Sequence, residues 1–245
     1  MTRGRNNVLA IAATGDVASA RAAQAATSTV PIVFTIGADP VRHGLVASLS
    51  RPGGNTTGIN LFSSVLSAKR VELLCEIAPK SRRVALLMNP DNLTAEAERQ
   101  SAEDGARTLG RETFVLNMRT PKEIGDAFVE LVRRKGDSII TASDPLLLDR
   151  RAQIVGFARQ HSLFSIGFVR QFATAGALLS YGPSITWMYQ QAGAHVGEIL
   201  KGAKPAELPV LQPTHFETII NLKTAQALQL EPSPLFLAKA TEIID

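Results

Sequence analysis

The sequence predicts an α/β fold with two lobes, each built on a doubly wound parallel sheet. The apolar runs, such as those at 32–36 and 83–88, are continuous rather than alternating, and segments with helical periodicity separate them. Continuous apolar strands alternating with helices are typical of a parallel sheet covered on both faces. With 245 residues and 45% apolar content, the chain can also bury a large core.

The individual elements follow from the period of the apolar residues and from turn signals at their ends. We expect strands at 8–13, 32–36, 56–61, 83–88, 112–117, 138–142, 164–168 and 177–181. We expect helices at 16–27, 67–78, 94–110 and 121–136.

Three of these strands break off into a short polar residue followed by proline, at Asp39-Pro40, Asn89-Pro90 and Asp144-Pro145. A short polar side chain caps the free amides of a helix start, and proline fits the first turn because it has no N–H to leave unpaired. The same strand ends are where open α/β sheets bind ligands, since helix dipoles and free amides favour a carboxylate or phosphate there. Capping and ligand binding both remain open for these residues.

The stretch at 49–60 divides the chain, because Pro, Gly, Asn and Thr cluster there between a helix and a short strand. It is either a loop before an edge strand or a crossing between two lobes. The crossing is favoured because a new strand–helix series starts after it and ends in a similar glycine-bounded strand at 176–184. We therefore predict a partial lobe one at 1–60, lobe two at 61–182, and a C-terminal segment at 183–245 that completes the lobes.

Composition argues against several kinds of function. The 26 basic and 22 acidic residues are interspersed, without the basic stripe of a nucleic-acid surface. The four histidines are far apart and show no metal-type spacing, and Cys75, the only cysteine, occupies an apolar helix position. No apolar run is long enough to span a membrane. No paired carboxylates, nucleophile with a base or complete glycine-rich loop appears, so we predict no enzyme activity, catalytic residue, metal or cofactor.

Several longer stretches carry a resemblance to a known family. They are RPGGNTTG at 51–58, the strand ends GADP and MNPDN, and LKGAKPAELPVLQPTHFETIINLKTAQALQL at 200–230. Over nearly the whole chain, the sequence resembles the ABC-transporter substrate-binding proteins of the tryptophan- and tyrosine-binding group. The resemblance implies a type I periplasmic-binding-protein fold whose two lobes close on a small solute and present it to an ABC permease and ATPase complex. The expected solute is an amino acid or related carboxylate.

One departure from that family concerns the start of the chain. Members usually carry a signal peptide and a further strand–helix–strand–helix unit before the point where VLAIAATGD aligns. We therefore expect lobe one to be truncated at its N-terminus, either through a misassigned start codon or a shortened gene. The resemblance implies a periplasmic location, although the chain as written shows no signal peptide.

The candidate ligand-binding residues combine the strand-end positions with this resemblance. Lobe one contributes Thr14, Gly15, Gly37, Ala38 and Asp39, because amides at a helix start and a hydroxyl suit an α-carboxylate. Asp39 either accepts a hydrogen bond from a ligand ammonium group or caps its helix. Lobe two contributes Asn89, Ser143, Asp144, Phe168 and Tyr181. The two aromatic residues either cover an apolar ligand side chain or pack within the lobe.

Two other classes of function use the same architecture. The effector-binding core of a LacI-like regulator has two similar lobes, and it would follow a helix-turn-helix upstream. An α/β enzyme that binds a phosphate or nucleotide would use the same strand ends. Neither class is excluded by the sequence alone.

Overall fold

The computed structural model describes residues 8–245, except for the side chain of Ser64. They form two compact units. Unit 1 contains the described residues up to Phe62 together with Ile185–Thr214, and unit 2 contains Ser63–Ser184 together with His215–Asp245.

Unit 1 is built on a three-stranded parallel sheet. Its strands are β1 (Ile11–Thr14), β2 (Ile32–Ile36) and β3 (Thr56–Asn60), in the order β1-β2-β3. Helix α1 (Val17–Ala26) follows β1, and Asp16 caps it by accepting a hydrogen bond from the Ser19 amide at 2.8 Å.

The central strand of unit 1 is buried along its whole length, and alternate side chains enter two apolar clusters. Phe34 and Ile36 pack with residues of α1, whereas Val33 packs with a later helix of the unit, Ile185–Leu200. The sheet is therefore covered on both faces, which explains why its strand sequence is continuously apolar. Trp187 packs against the second cluster.

Unit 2 contains a seven-stranded sheet. In chain order its strands are β4 (Arg83–Met88), β5 (Glu112–Asn117), β6 (Ser138–Thr141), β7 (Phe164–Gly167), β8 (Leu179–Pro183), β9 (Phe216–Asn221) and β10 (Glu242–Ile244). Their order in the sheet is β10-β9-β8-β7-β6-β4-β5, and every neighbouring pair is parallel except β8 and β9. The α/β class with sheets that are mainly parallel is thus confirmed.

The helices of unit 2 connect and cover these strands. They are α2 (Ser67–Ile77), α3 (Ala95–Thr108), α4 (Glu123–Arg133), α5 (Pro145–Asp149), α6 (Arg151–Gln160) and α7 (Arg170–Thr174), followed, after helix α8 (Ile185–Leu200) of unit 1, by α9 (Leu222–Ala227) and α10 (Pro234–Leu237). Their apolar faces pack on strand residues such as Val84, Leu86 and Ile140 to form the core.

Some element ends differ from the sequence-based expectation. The first strand begins at Ile11 rather than at residue 8, and the helix predicted over 94–110 ends at Thr108, before Gly110 with φ 64°. The helix predicted over 121–136 ends at Arg133, two residues before Lys135 with φ 53°. A residue in the left-handed region cannot continue a right-handed helix, so the helical turn stops ahead of it.

Candidate functional site

The carboxyl edge of the unit 2 sheet brings together the loops after β4 and β6. Asn92, which follows β4, donates from Nδ2 to the Ser143 carbonyl at 3.1 Å and to Oδ2 of Asp144 at 2.9 Å. Because β4 and β6 are adjacent parallel strands, their C-terminal loops meet at one edge. The predicted residues Asn89, Ser143 and Asp144 therefore all lie at the same edge of unit 2.

Asp144 has the capping geometry that the Asp-Pro pair predicts. Its Oδ1 accepts hydrogen bonds from the amides of Leu146 at 2.8 Å and Leu147 at 3.4 Å, and the residue is only 4% exposed. Asn89 likewise uses Oδ1 locally, accepting from the Asp91 amide at 3.1 Å. Both side chains therefore stabilise the backbone of their own loops through these hydrogen bonds.

A buried ion pair behind this edge was missed by the sequence reasoning. Arg70 of α2 and Glu98 of α3 have fully buried side chains, and Nη1 of Arg70 lies 3.4 Å from Oε2 of Glu98. Oε2 also accepts from the Ser143 amide at 2.9 Å and from the Ser67 hydroxyl at 3.3 Å, while Oε1 accepts from the Thr94 hydroxyl at 3.0 Å. The carboxylate thereby ties the β6 loop to two helices.

Arg70 extends the same network to β8. Its Nε donates to the Tyr181 carbonyl at 3.0 Å, and its Nη2 lies 3.5 Å from the Ser143 hydroxyl. Burial lowers the pKa of Arg70 and raises the pKa of Glu98, and the charge of each partner opposes the shift of the other. In sequence, both residues look like ordinary charged positions of amphipathic helices, so no local signal reveals the pair.

The two predicted aromatic residues of unit 2 have different environments. Phe168 is 8% exposed and packs against Phe172, with ring centroids 5.4 Å apart. Tyr181 is half-buried, its ring is stacked 5.9 Å from that of Phe216, and burial raises the pKa of its hydroxyl. Tyr181 is therefore the aromatic candidate that retains exposed surface.

In unit 1 the predicted residues follow the adjacent parallel strands β1 and β2, so they lie at the carboxyl edge of that sheet. Thr14, Gly15 and Asp39 are exposed, whereas Ala38 is 5% exposed. The Gly15 amide donates to the Thr35 carbonyl at 3.2 Å, so it completes the sheet. Asp39 accepts on Oδ1 from the amides of Val41 at 2.9 Å and Arg42 at 3.2 Å. Residues 40–44 form a turn rather than a helix, so the helix start expected at Asp39-Pro40 is wrong and the side chain closes a turn instead.

Asn60, at the end of β3, is a further polar residue at this edge that the sequence reasoning did not select. It is 0% exposed, and its Oδ1 accepts from the Phe62 amide at 3.0 Å. The strand expected from the sequence runs from 56 to 61, so Asn60 was interpreted as a strand residue rather than as a strand end.

A surface cavity of about 700 Å³ lies at the opposite, amino edge of the unit 2 sheet. It is lined by residues that precede β7 and β8 and by the start of α9, among them Arg159, Ser162, Gly176, Asn221 and Lys223. None of the predicted ligand-binding residues lines it. The cavity therefore lies at the edge of the sheet opposite to the one that carries the predicted ligand-binding residues of unit 2.

Residues 8–245 contain neither a metal-type cluster nor a membrane-spanning helix. No group of three or more His, Cys, Asp or Glu side chains in this part of the chain has the arrangement of a metal site. Among the described helices, none is long and apolar enough to cross a membrane.

Comparison with known proteins identifies related sequences and folds. Residues 2–244 match the family described as ABC transporter substrate binding protein. The tyrosine-binding protein of Clostridioides difficile (strain R20291) is 29% identical over 213 residues, which is 87% of this chain and 61% of that relative. The chain thus spans less than two thirds of the length of this curated relative.

Solved structures show the same fold. An ABC domain from Streptococcus pneumonia in complex with L-Trp is 22% identical, with a TM-score of 0.86 over 98% of this chain and 82% of the other. A conserved domain protein from Vibrio cholerae is 26% identical, with a TM-score of 0.83 over 95% of this chain and 76% of the other.

Proposed function

Because the chain belongs to the ABC transporter substrate-binding protein family, we propose that it is the solute-binding component of an ABC importer. The family and its relatives are substrate-binding proteins rather than enzymes, and the fold is the type I periplasmic-binding-protein fold. In the proposed role the protein binds a small metabolite without altering it and delivers it to a permease.

The observation that carries this proposal is the fixed loop at the carboxyl edge of unit 2. A buried ion pair usually stabilises a fold no better than apolar residues of the same size. The Arg70–Glu98 pair nevertheless holds the Ser143 amide at 2.9 Å and the Tyr181 carbonyl at 3.0 Å. A loop positioned in advance loses less conformational entropy when it binds a solute. This arrangement favours a binding surface over a purely structural turn.

We propose that the solute is an amino acid with an aromatic side chain. The names of two similar proteins, the tyrosine-binding protein and the L-Trp complex, support this class. The half-buried ring of Tyr181, stacked on Phe216, gives unit 2 an aromatic surface on which a ligand ring can pack. Polar groups at the strand ends suit the ammonium and carboxylate groups of such a ligand.

A calorimetric titration with L-tryptophan, L-tyrosine, L-leucine and L-glutamate tests the class of solute. We expect L-tryptophan or L-tyrosine to bind at least tenfold more tightly than L-leucine, because an aromatic pair adds to the area it buries. Tyr181→Ala should remove this preference, whereas Tyr189→Ala, at an exposed tyrosine of α8, should leave it unchanged. Equal affinity for all four amino acids would contradict the aromatic class.

We further propose that the bound solute favours a closed form of the protein through its higher affinity for that form. A saturating ligand should then raise the melting temperature and reduce the radius of gyration in solution scattering. A rise in melting temperature without compaction would contradict the closed form.

The proposed partners are an ABC permease and its ATPase, and the proposed location is the periplasm. The family is typically extracytoplasmic, which supports this location. Fractionation of cells that express the gene from its own locus tests the location. Recovery with cytoplasmic markers would contradict it, and failure to stimulate the ATPase of a reconstituted cognate transporter would contradict the partnership.

A further inference from the structure

The side chain of Asn60 has one hydrogen-bonding group that is used and one that is not. Its Oδ1 accepts from the Phe62 amide at 3.0 Å. Its Nδ2 is buried and has no hydrogen-bond partner among the described residues. A buried donor without an acceptor is destabilising, and such groups are rare in folded proteins unless a ligand or water completes them.

The orientation of this amide group is determined by its bond to Phe62. If the group were flipped, Nδ2 would face the Phe62 N–H, and two donors would oppose each other. Phe62 has φ 48°, so the chain turns sharply after β3 and returns its amide to the end of the strand. The oxygen therefore serves the turn, and the nitrogen is left without a partner.

The position of Asn60 places this donor beside predicted ligand-binding residues. Asn60 aligns with Ile36, the last residue of β2, and the next residues of that strand's loop are Gly37 and Ala38.

Asn221 of unit 2 shows what a completed version of the same motif looks like. It also ends a strand, is 6% exposed, and accepts on Oδ1 from the Thr224 amide at 2.9 Å. Its Nδ2, however, donates to the Ala173 carbonyl at 3.0 Å. The comparison isolates the difference at Asn60, where the acceptor for Nδ2 has to come from outside the described protein.

We propose that Nδ2 of Asn60 donates a hydrogen bond to a carboxylate oxygen of the bound solute. A carboxylate is favoured over a neutral carbonyl because hydrogen bonds to a charged acceptor are the stronger ones. This inference rests on the proposed function and assigns the carboxylate-binding role in unit 1 to a residue outside the predicted set.

The test uses Asn60→Asp, which keeps an oxygen for the Phe62 amide and replaces the donor by a second oxygen. With L-tryptophan as the probe, we expect the Kd to rise by about tenfold to a hundredfold, the size of a hydrogen bond to a charged group. L-tryptophanamide has a carboxamide in place of the carboxylate and can donate to the new oxygen. The ratio of the two Kd values should therefore shift toward the amide, which a purely structural role of Asn60 would not produce.

Asn221→Asp is the matched control for this experiment. It should lower the melting temperature of the ligand-free protein, because Ala173 loses its donor, while leaving the ratio of the two Kd values unchanged. If Asn60→Asp does not fold, NMR spectroscopy of the side-chain amide groups of the wild type replaces this measurement. The Asn60 Nδ2 protons should then shift downfield on addition of L-tryptophan.

The outcomes separate the two hypotheses. If no amino acid binds the wild type, the proposed function fails and this inference fails with it. If L-tryptophan binds the wild type and Asn60→Asp with the same affinity, or the Asn60 resonances do not move, the proposed function stands and this inference is overturned. That second result would mean that a water molecule, and not the solute, accepts the hydrogen bond from Nδ2 of Asn60.

Discussion

Nη1 of Arg70 lies 3.4 Å from Oε2 of Glu98, and both side chains are completely excluded from solvent. The pair connects helices α2 and α3 to the loop that contains Ser143 and to the Tyr181 carbonyl. Two buried charges are costly to desolvate, and in this structure their contacts are directed at predicted ligand-binding positions.

Glu98→Ala should lower the free energy of unfolding by about 3–5 kcal/mol, because it leaves the Arg70 charge buried without a partner. Glu96→Ala is the control, since Glu96 lies on the same helix and forms an ion pair with Arg99 while its side chain is 76% exposed. The control should leave the free energy of unfolding nearly unchanged, because solvent screens an exposed ion pair. Urea unfolding followed by circular dichroism measures both, and equal losses would contradict the prediction.

The double variant Arg70→Met, Glu98→Leu separates stability from positioning. It should be more stable than either single variant, because apolar residues of similar volume replace the pair without leaving a buried charge. Its affinity for the solute should nevertheless be lower than that of the wild type, since Ser143 and Tyr181 lose their hydrogen-bond partners. A double variant with wild-type affinity would show that the pair does not position the site.

Gly182→Ala should destabilise unit 2. A Cβ at this position would lie 1.9 Å from the Phe168 carbonyl oxygen, which is backbone and cannot move aside easily. We expect a loss of about 1–3 kcal/mol or more from overpacking. Gly156→Ala in helix α6 is the contrasting change, because its Cβ would meet nothing within 4 Å. That variant should be more stable than the wild type by about 0.5–1 kcal/mol, and a loss of stability in it would contradict the argument.

Cys75 should make the protein less stable at alkaline pH. Burial raises the pKa of its thiol above the ordinary value, so the unfolded chain loses this proton before the folded protein does. Above the unfolded pKa the folded state binds more protons, and the free energy of unfolding falls as pH rises, by up to about 1.4 kcal/mol per pH unit for one thiol. The thiol's contribution to the free energy of unfolding is fully present below its pKa in the unfolded chain. It is lost as the pH rises through its pKa in the folded protein.

The measurement compares urea unfolding of the wild type and Cys75→Ala between pH 7 and pH 11. The variant should show a shallower decline, with the remaining slope including Tyr181, whose pKa burial also raises. Parallel curves for the two proteins would show that Cys75 does not titrate differently in the folded state.

Asp39→Asn distinguishes the two interpretations of Asp39. The variant keeps an oxygen for the amides of Val41 and Arg42 and removes the negative charge. Asparagine accepts the same amide hydrogen bonds in such a turn, so stability should change little. Since the observed contacts are those of a side chain that closes its own turn, we expect the Kd for L-tryptophan to change less than about threefold, a small change in free energy. A rise of more than tenfold at unchanged stability would assign Asp39 to the ligand ammonium group.

Much of the fold could be predicted from the sequence because the signals are local. Burial on both faces makes a strand such as Ile32–Ile36 continuously apolar, and the caps at Asp16 and Asp144 bond to amides only two or three residues away. The strand ends that carry the candidate residues followed from the same signals. The exact ends of helices α3 and α4 did not, because they depend on single residues in the left-handed region.

Within the candidate site, the sequence by itself determined which polar residues follow the strands, since capping and strand periodicity act over a few residues. Only the tertiary structure decided which of them share partners. Arg70 and Tyr181 are 111 residues apart in the chain, and Glu98 and Ser143 are 45 apart, so their contacts exist only after the sheet has assembled. Whether the amide of Asn60 or of Asn221 finds an acceptor is decided in the same way, because Ala173, the acceptor for Asn221, lies 48 residues away.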